Sequence, residues 1–195
     1  MRTGADGKIG SRTRGGYMDR GRIAVLGFLA MMLVSDEVPV STVSPVPQEA
    51  VARRFDAEAV GSILERVNPA LPPSERQRIG AAVVRYSEKY GIDPKLVTAV
   101  LLVESNGRPW ARSQKGAIGL MQVMPYVARP LGLAGNLATV ETNVEAGCII
   151  LADNIRRLGE EDGISAYFWG SDIRGAAYLD RVLAARAAVA RLSES

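Results

Sequence analysis

Glu104 closes the apolar run Val100–Val103 and is followed at once by the polar, glycine-containing stretch SNGRPWARSQKG. A carboxyl group so placed is either a solvated charge at a helix end or an acid kept away from water. The second has a chemical use. The C-terminal end of a helix carries partial negative charge, and Val100, Leu101 and Val103 raise the cost of ionisation, so both effects favour the protonated form. A carboxyl that keeps its proton near neutral pH is what the leaving oxygen of a glycosidic bond requires.

Most glycosidases add a second carboxylate as nucleophile or base. No Asp or Glu occurs between Ser105 and Val140, so a partner would have to come from Glu141, Glu145, Asp153, Asp172 or another distant acid. A mechanism with one carboxylate is the economical reading. The chain has no histidine and one cysteine, Cys148, which excludes Ser–His and Cys–His catalytic pairs, the usual zinc sites and an intramolecular disulfide. Acid–base work must fall to a carboxylate, Tyr, Lys or Cys, and neither metal nor cofactor is expected.

These residues must be positioned by helices. Ile79, Ala82, Val83, Tyr86 and Tyr90 recur at helical steps, with Ser74 as expected N-cap and Gly91 as stop. The stretch DPKLVTAVLLVES opens with Asp93 as cap and Pro94 at the first helical position, and its middle is apolar on every side. That helix should be central and buried. Residues 106–119 read as an irregular loop in which a short hairpin remains open, GLMQVM as a short helix, and residues 142–159 as a long helix ending at Gly159. Final helices are expected near 163–169 and 173–192. No alternating strand pattern or internal repeat is present, so the fold class is all-α.

The N-terminal region reads differently. Arg2, Lys8, Arg12, Arg14, Arg20 and Arg22 precede the apolar run 23–34, which is followed by a polar, proline-containing segment. That order is a secretory signal. The run is shorter than the roughly 20 residues that span a bilayer as a helix, so a cleaved signal is expected, with an uncleaved anchor through residues 23–34 as its rival. The division is 1–34 signal peptide or signal anchor, 35–54 Pro/Ser-containing linker, and 55–195 the folded domain. The formal charge of +3 owes its excess to the leader, and without it no concentrated basic stripe remains for nucleic acid.

The stretch ESNGRPWARSQKGAIGLMQVMP resembles the signature of soluble lytic transglycosylases and their goose-lysozyme-like relatives. Glu104–Ser105, Pro109, Ala111, Ser113, Gly116–Ala117, Gly119–Leu120–Met121–Gln122 and Met124–Pro125 fall in register, and the likeness continues at Asn143, Gly147, Ala166–Tyr167, Tyr178 and Val182. It covers about residues 90–185. Two positions depart: Gly107 stands where the family commonly has an aromatic residue, and Phe168 where it has the Asn of AYN.

The resemblance implies a lysozyme-like helical domain with a catalytic cleft. It implies action on the β-1,4 bond between N-acetylmuramic acid and N-acetylglucosamine of peptidoglycan, with Glu104 as acid and then base and a 1,6-anhydro product. Ser105, Ser113, Gly119, Met121, Gln122, Tyr167 and Tyr178 would bind substrate by position. Each has a plainer alternative: turn closure for the serines, backbone shape for Gly119, packing for the tyrosines. Phe168 and Trp169 read as core packing or a stacking wall for sugar rings, and Cys148 as a buried small hydrophobe. The rival functions are a hydrolytic muramidase on the same fold and a non-catalytic peptidoglycan-binding module. The expected partners are glycan strands in the periplasm or cell envelope of a bacterium, serving general wall turnover or the opening of gaps for secretion or conjugation machinery.

Overall fold

A computed structural model of the protein describes residues 55–194, so the expected signal or anchor at 1–34 and the linker at 35–54 lie outside the described residues. The helices are α1 (Ala57–Val67), α2 (Pro73–Tyr90), α3 (Pro94–Ser105), the single turn α4 (Pro125–Ala128), α5 (Val140–Leu158), α6 (Glu160–Trp169) and α7 (Ala177–Ser193). Among the described residues the only β geometry is a pair of isolated antiparallel bridges, Arg112–Ile118 and Ile118–Val123. The all-α expectation holds. No described helix is long and apolar enough to cross a membrane.

The core is built around α3. Leu96, Val97, Thr98, Ala99, Val100, Leu101 and Ser105 are all buried, as a helix apolar on every side demands, and each fully buried Leu or Val contributes about 1.5–3 kcal/mol. Its start is fixed as the sequence predicts: Asp93 accepts the Lys95 amide at 2.9 Å, with Pro94 at the first helical position. The other oxygen of Asp93 binds Arg186 of α7 at 2.6 Å, and Arg186 also reaches Glu160 at the start of α6, at 2.9 Å. The beginning of α3 is thereby tied to the two helices that carry Tyr167 and Tyr178. Helix α1 packs on α2, α5 on α2 and α6, and α7 on α3 and α6.

Local expectations failed in three places. Ser74 does not cap α2; the helix starts one residue earlier at Pro73, whose ring supplies the helical φ and which has no amide to satisfy. GLMQVM is not a helix but a turn. Residues 119–123 instead fold back on 111–118 through Gly119 N–H to Ala111 C=O at 2.8 Å and a reciprocal Ile118–Val123 pair at 3.0 Å. The hairpin left open within 106–119 is present as the single Arg112–Ile118 bridge, and the second bridge carries the pairing on to Val123. Helix α7 begins at Ala177 rather than near 173, after the Gly170–Gly175 stretch. Gly91 ends α2 in a left-handed conformation, as expected.

Candidate active site

Glu104 lies one residue before the end of α3, where Asn106 turns left-handed (φ 55°) and releases the chain into the loop. The residue is part-buried, and burial pushes its carboxyl above the ordinary carboxylate range, against a hydrogen bond from Tyr178 and the positive charge of Arg181. The Tyr178 hydroxyl donates to Glu104 Oε1 at 2.7 Å. It is the only hydrogen-bond donor to that carboxyl among the described residues, which leaves Oε2 unengaged. Helix α7 supplies both groups, since Tyr178 and Arg181 sit three residues apart on one helical face, with the guanidinium 5.6 Å from the Tyr178 ring centre.

Among the described residues no second carboxylate joins them: the groups bearing on Glu104 are the Tyr178 hydroxyl and the Arg181 charge, and each distant acid considered from the sequence is paired with a cation elsewhere. Glu141 is bound by Arg78 at 2.7 Å, Glu145 by Lys89 at 2.6 Å, Asp153 by Arg156 and Arg157, and Asp172 by Arg174 at 2.6 Å. The Arg78 contact holds Glu141 below its ordinary pKa, and the paired arginines do the same for Asp153. Glu104 is held in the protonated direction, whereas Glu141, Glu145 and Asp153 are held in the ionised one.

The Tyr167 hydroxyl donates 2.8 Å to the main-chain oxygen of Met121, and burial raises its pKa well above the ordinary phenol. Tyr178 is raised as well, by burial and by the Glu104 charge. Both phenols therefore remain donors across the working pH range. Tyr178 meets Glu104 directly from α7, while Tyr167 on α6 binds the Met121 carbonyl and lies near enough for the Glu104 charge to add to its raised pKa.

The remaining expected residues divide. Gln122 adopts φ 47° and its amide bonds Ala111 O at 3.2 Å and Gly119 O at 2.9 Å, so it staples the loop after Glu104. A non-glycine residue held left-handed marks a position fixed by its surroundings. Ser113 accepts the Ala117 amide at 3.0 Å and is exposed, closing the tip of the loop. Two expectations need correction. The Ser105 hydroxyl is buried and donates to Leu101 O within α3, and the Met121 side chain is wholly buried (0% exposed), so neither side chain meets a polymer. Met121 contributes its carbonyl to the site and its thioether to the core.

Asn143 explains the geometry behind Gly119 and Met121. Buried on α5, it accepts the Met121 amide at 2.8 Å and donates to Ile118 O at 2.8 Å and Leu137 O at 3.0 Å. A Cβ on Gly119 would lie 2.5 Å from the Asn143 amide nitrogen, and one on Gly147, a turn later on α5, would lie 2.8 Å from Met121 Cβ. Both glycines serve close packing of the loop on α5. Leu120 is fully buried, while Met124 is only part-buried. Cys148 is fully buried, as expected, and its thiol is pushed up to about 12.

Arg181 was not identified from the sequence, although its position one helical turn after Tyr178 was a usable signal. Phe168, ambiguous before, lies 50% exposed with its ring 4.9 Å from that of Tyr178 at an interplanar angle of 16°, so it is not core. Trp169 packs edge-on against Phe168, and its buried indole N–H has no acceptor among the described residues.

Comparison with known proteins gives a consistent set. Residues 82–181, just over half of the chain, match the family described as "Transglycosylase SLT domain". A "Transglycosylase" of Enterobacteria phage PRD1 is 38% identical over 97 residues, covering 49% of this chain and 35% of that protein. An "Endo-type membrane-bound lytic murein transglycosylase A" of Klebsiella pneumoniae is 32% identical over 95 residues, covering 44% of this chain and 47% of that protein. The chain thus spans about a third of the first of these relatives and about half of the second. Among solved structures, a 70 kDa soluble lytic transglycosylase from Escherichia coli is 21% identical with a TM-score of 0.46, covering 70% of this chain and 28% of that one.

Proposed function

The chain belongs to the transglycosylase SLT domain family, and from that premise we propose that it is a peptidoglycan lytic transglycosylase that cleaves the β-1,4 bond between N-acetylmuramic acid and N-acetylglucosamine. The observation that carries the reading is the part-buried carboxyl of Glu104, raised by burial and held by one phenol, with each distant candidate acid paired to a cation. Glu104 protonates the glycosidic oxygen as the C1–O bond breaks, and the N-acetylglucosamine side leaves with that proton. The ionised Glu104 then takes the proton of the muramoyl 6-hydroxyl, whose oxygen attacks C1 to form the 1,6-anhydro ring. The substrate's acetamido oxygen stabilises C1 between the two steps. The proton count closes, and no water is consumed.

Tyr178 orients the Glu104 carboxyl so that Oε2 faces the bond, and its hydrogen bond together with the Arg181 charge steadies the ionised form that serves as base. Tyr167 fixes the Met121 carbonyl, and Gln122, Ser113 and Asn143 hold the loop that follows Glu104. Residues 1–34 act as export signal or anchor and 35–54 as linker, which places the domain against glycan strands in the periplasm or envelope. A secretion or conjugation apparatus is a candidate client for such local gaps.

Mass spectrometry of products from purified peptidoglycan decides the reaction. Anhydromuropeptides from wild type and none from Glu104→Gln are expected; reducing-end products would make the protein a hydrolase, and binding without products a glycan-binding module.

A further inference from the structure

Phe168 is the exposed apolar ring that touches the acid's own cluster. Trp110 and Tyr126 are more exposed, at 62% and 69%, but neither has a ring contact with Tyr178. One face of Phe168 lies almost parallel to the buried Tyr178 ring, 4.9 Å between centres, and half of the residue remains open to solvent. Tyr178 is in turn fixed through its hydroxyl to Glu104 at 2.7 Å. The open phenyl is therefore held at a set position relative to the carboxyl, one stacked ring away from it.

We propose that Phe168 is a sugar-binding platform: its free face stacks on the apolar C–H face of a pyranose in the glycan strand and places the adjoining bond at Glu104. This rests on the reading of the chain as a glycan-cleaving enzyme. The chemistry on the page favours that occupant. A half-exposed phenyl offers a flat apolar surface without hydrogen-bonding capacity, and a β-linked hexopyranose presents axial C–H groups on one face that suit such a surface while its hydroxyls stay in water. The Trp169 ring stands at 89° to that of Phe168, with 4.9 Å between centres, and half of Phe168 stays open beside both partners.

The test is affinity, measured apart from turnover. The chain carrying Glu104→Gln is titrated calorimetrically with soluble glycan strands stripped of their peptides, alone and combined with Phe168→Tyr, Phe168→Trp or Phe168→Leu, each checked for an unchanged circular dichroism spectrum and melting transition. The two aromatic variants should bind within about twofold of the Glu104→Gln parent, and Phe168→Leu about three- to tenfold more weakly, as loss of one aromatic contact implies. With Glu104 restored, Phe168→Leu should raise KM by a similar factor with little change in kcat. Equal affinity for Leu and the aromatic variants overturns the platform while leaving the enzymatic reading intact. No strand binding by the Glu104→Gln parent overturns both. Ring-dependent binding with no anhydro product from the wild type upholds the platform and removes the transglycosylase reading.

Discussion

The Tyr178 hydroxyl sits 2.7 Å from Glu104 Oε1, joining two residues 74 positions apart in the chain. The hydrogen bond favours the ionised carboxylate, and burial of the same group favours the protonated one; burial is the larger effect. An acid poised between these opposing forces can release its proton in one step and recover one in the next.

Tyr178→Phe removes the force that favours ionisation, so the carboxyl should hold its proton to higher pH. Turnover by the first step requires the protonated form, and the descending alkaline limb of the pH–rate profile is expected to move upward. The rate at the optimum should fall about ten- to hundredfold, the worth of a hydrogen bond to a charged group. Arg181→Gln should move the limb in the same direction with a smaller loss of rate, because it also removes stabilisation of the anion. A limb that stays in place in both variants would assign it to another group.

Glu104→Gln should abolish activity and stabilise the fold. A folded-state pKa raised above the unfolded one means that the folded protein binds the proton more tightly. The favourable contribution is complete below the ordinary carboxylate pKa, about 4.3, and is lost as pH rises through the folded value. At pH 7 the substitution is expected to raise Tm by about 2–4 °C, and the gain should shrink below about pH 4. Thermal melts at the two pH values check both halves.

Asn143→Ala leaves the buried Met121 amide without its acceptor and the part-buried Leu137 carbonyl without the Asn143 amide, while the Ile118 carbonyl keeps only the Val123 amide. A loss of about 2–4 kcal/mol of stability is expected, readable in denaturant unfolding. Activity should fall further than the folded fraction does, because the loop carrying Gln122 and the Met121 carbonyl loses its attachment to α5.

Cys148 should be silent. With its thiol buried and pushed up to about 12, it is expected to resist thiol reagents in the native state at pH 8 and to react fully once the protein is unfolded in guanidinium. Rapid native labelling would show that α5 opens locally.

The sequence by itself determined the helices with strong local signals and singled out Glu104 as the candidate acid. Pro94 after Asp93, the all-round apolar run to Val103 and Gly91 after Tyr90 are chemical statements made within a few residues, and the structure repeats each of them. The absence of histidine and of acids between Ser105 and Val140 already made a mechanism with one carboxylate the economical reading. Contacts over long sequence separations were decided by the tertiary structure. GLMQVM has helix-forming residues, but main-chain pairing with Ala111 and Ile118 and the buried Asn143 amide outweigh that propensity. Ser105 and Met121 look equally available as letters, yet one is taken by its own helix and the other by the space over Gly147. Phe168 could have been core or surface until α7 crossed α3 and gave it Tyr178 to lie on. Local propensity depends on neighbours in sequence, whereas burial and hydrogen-bond partnership depend on neighbours in space, and only the fold supplies those.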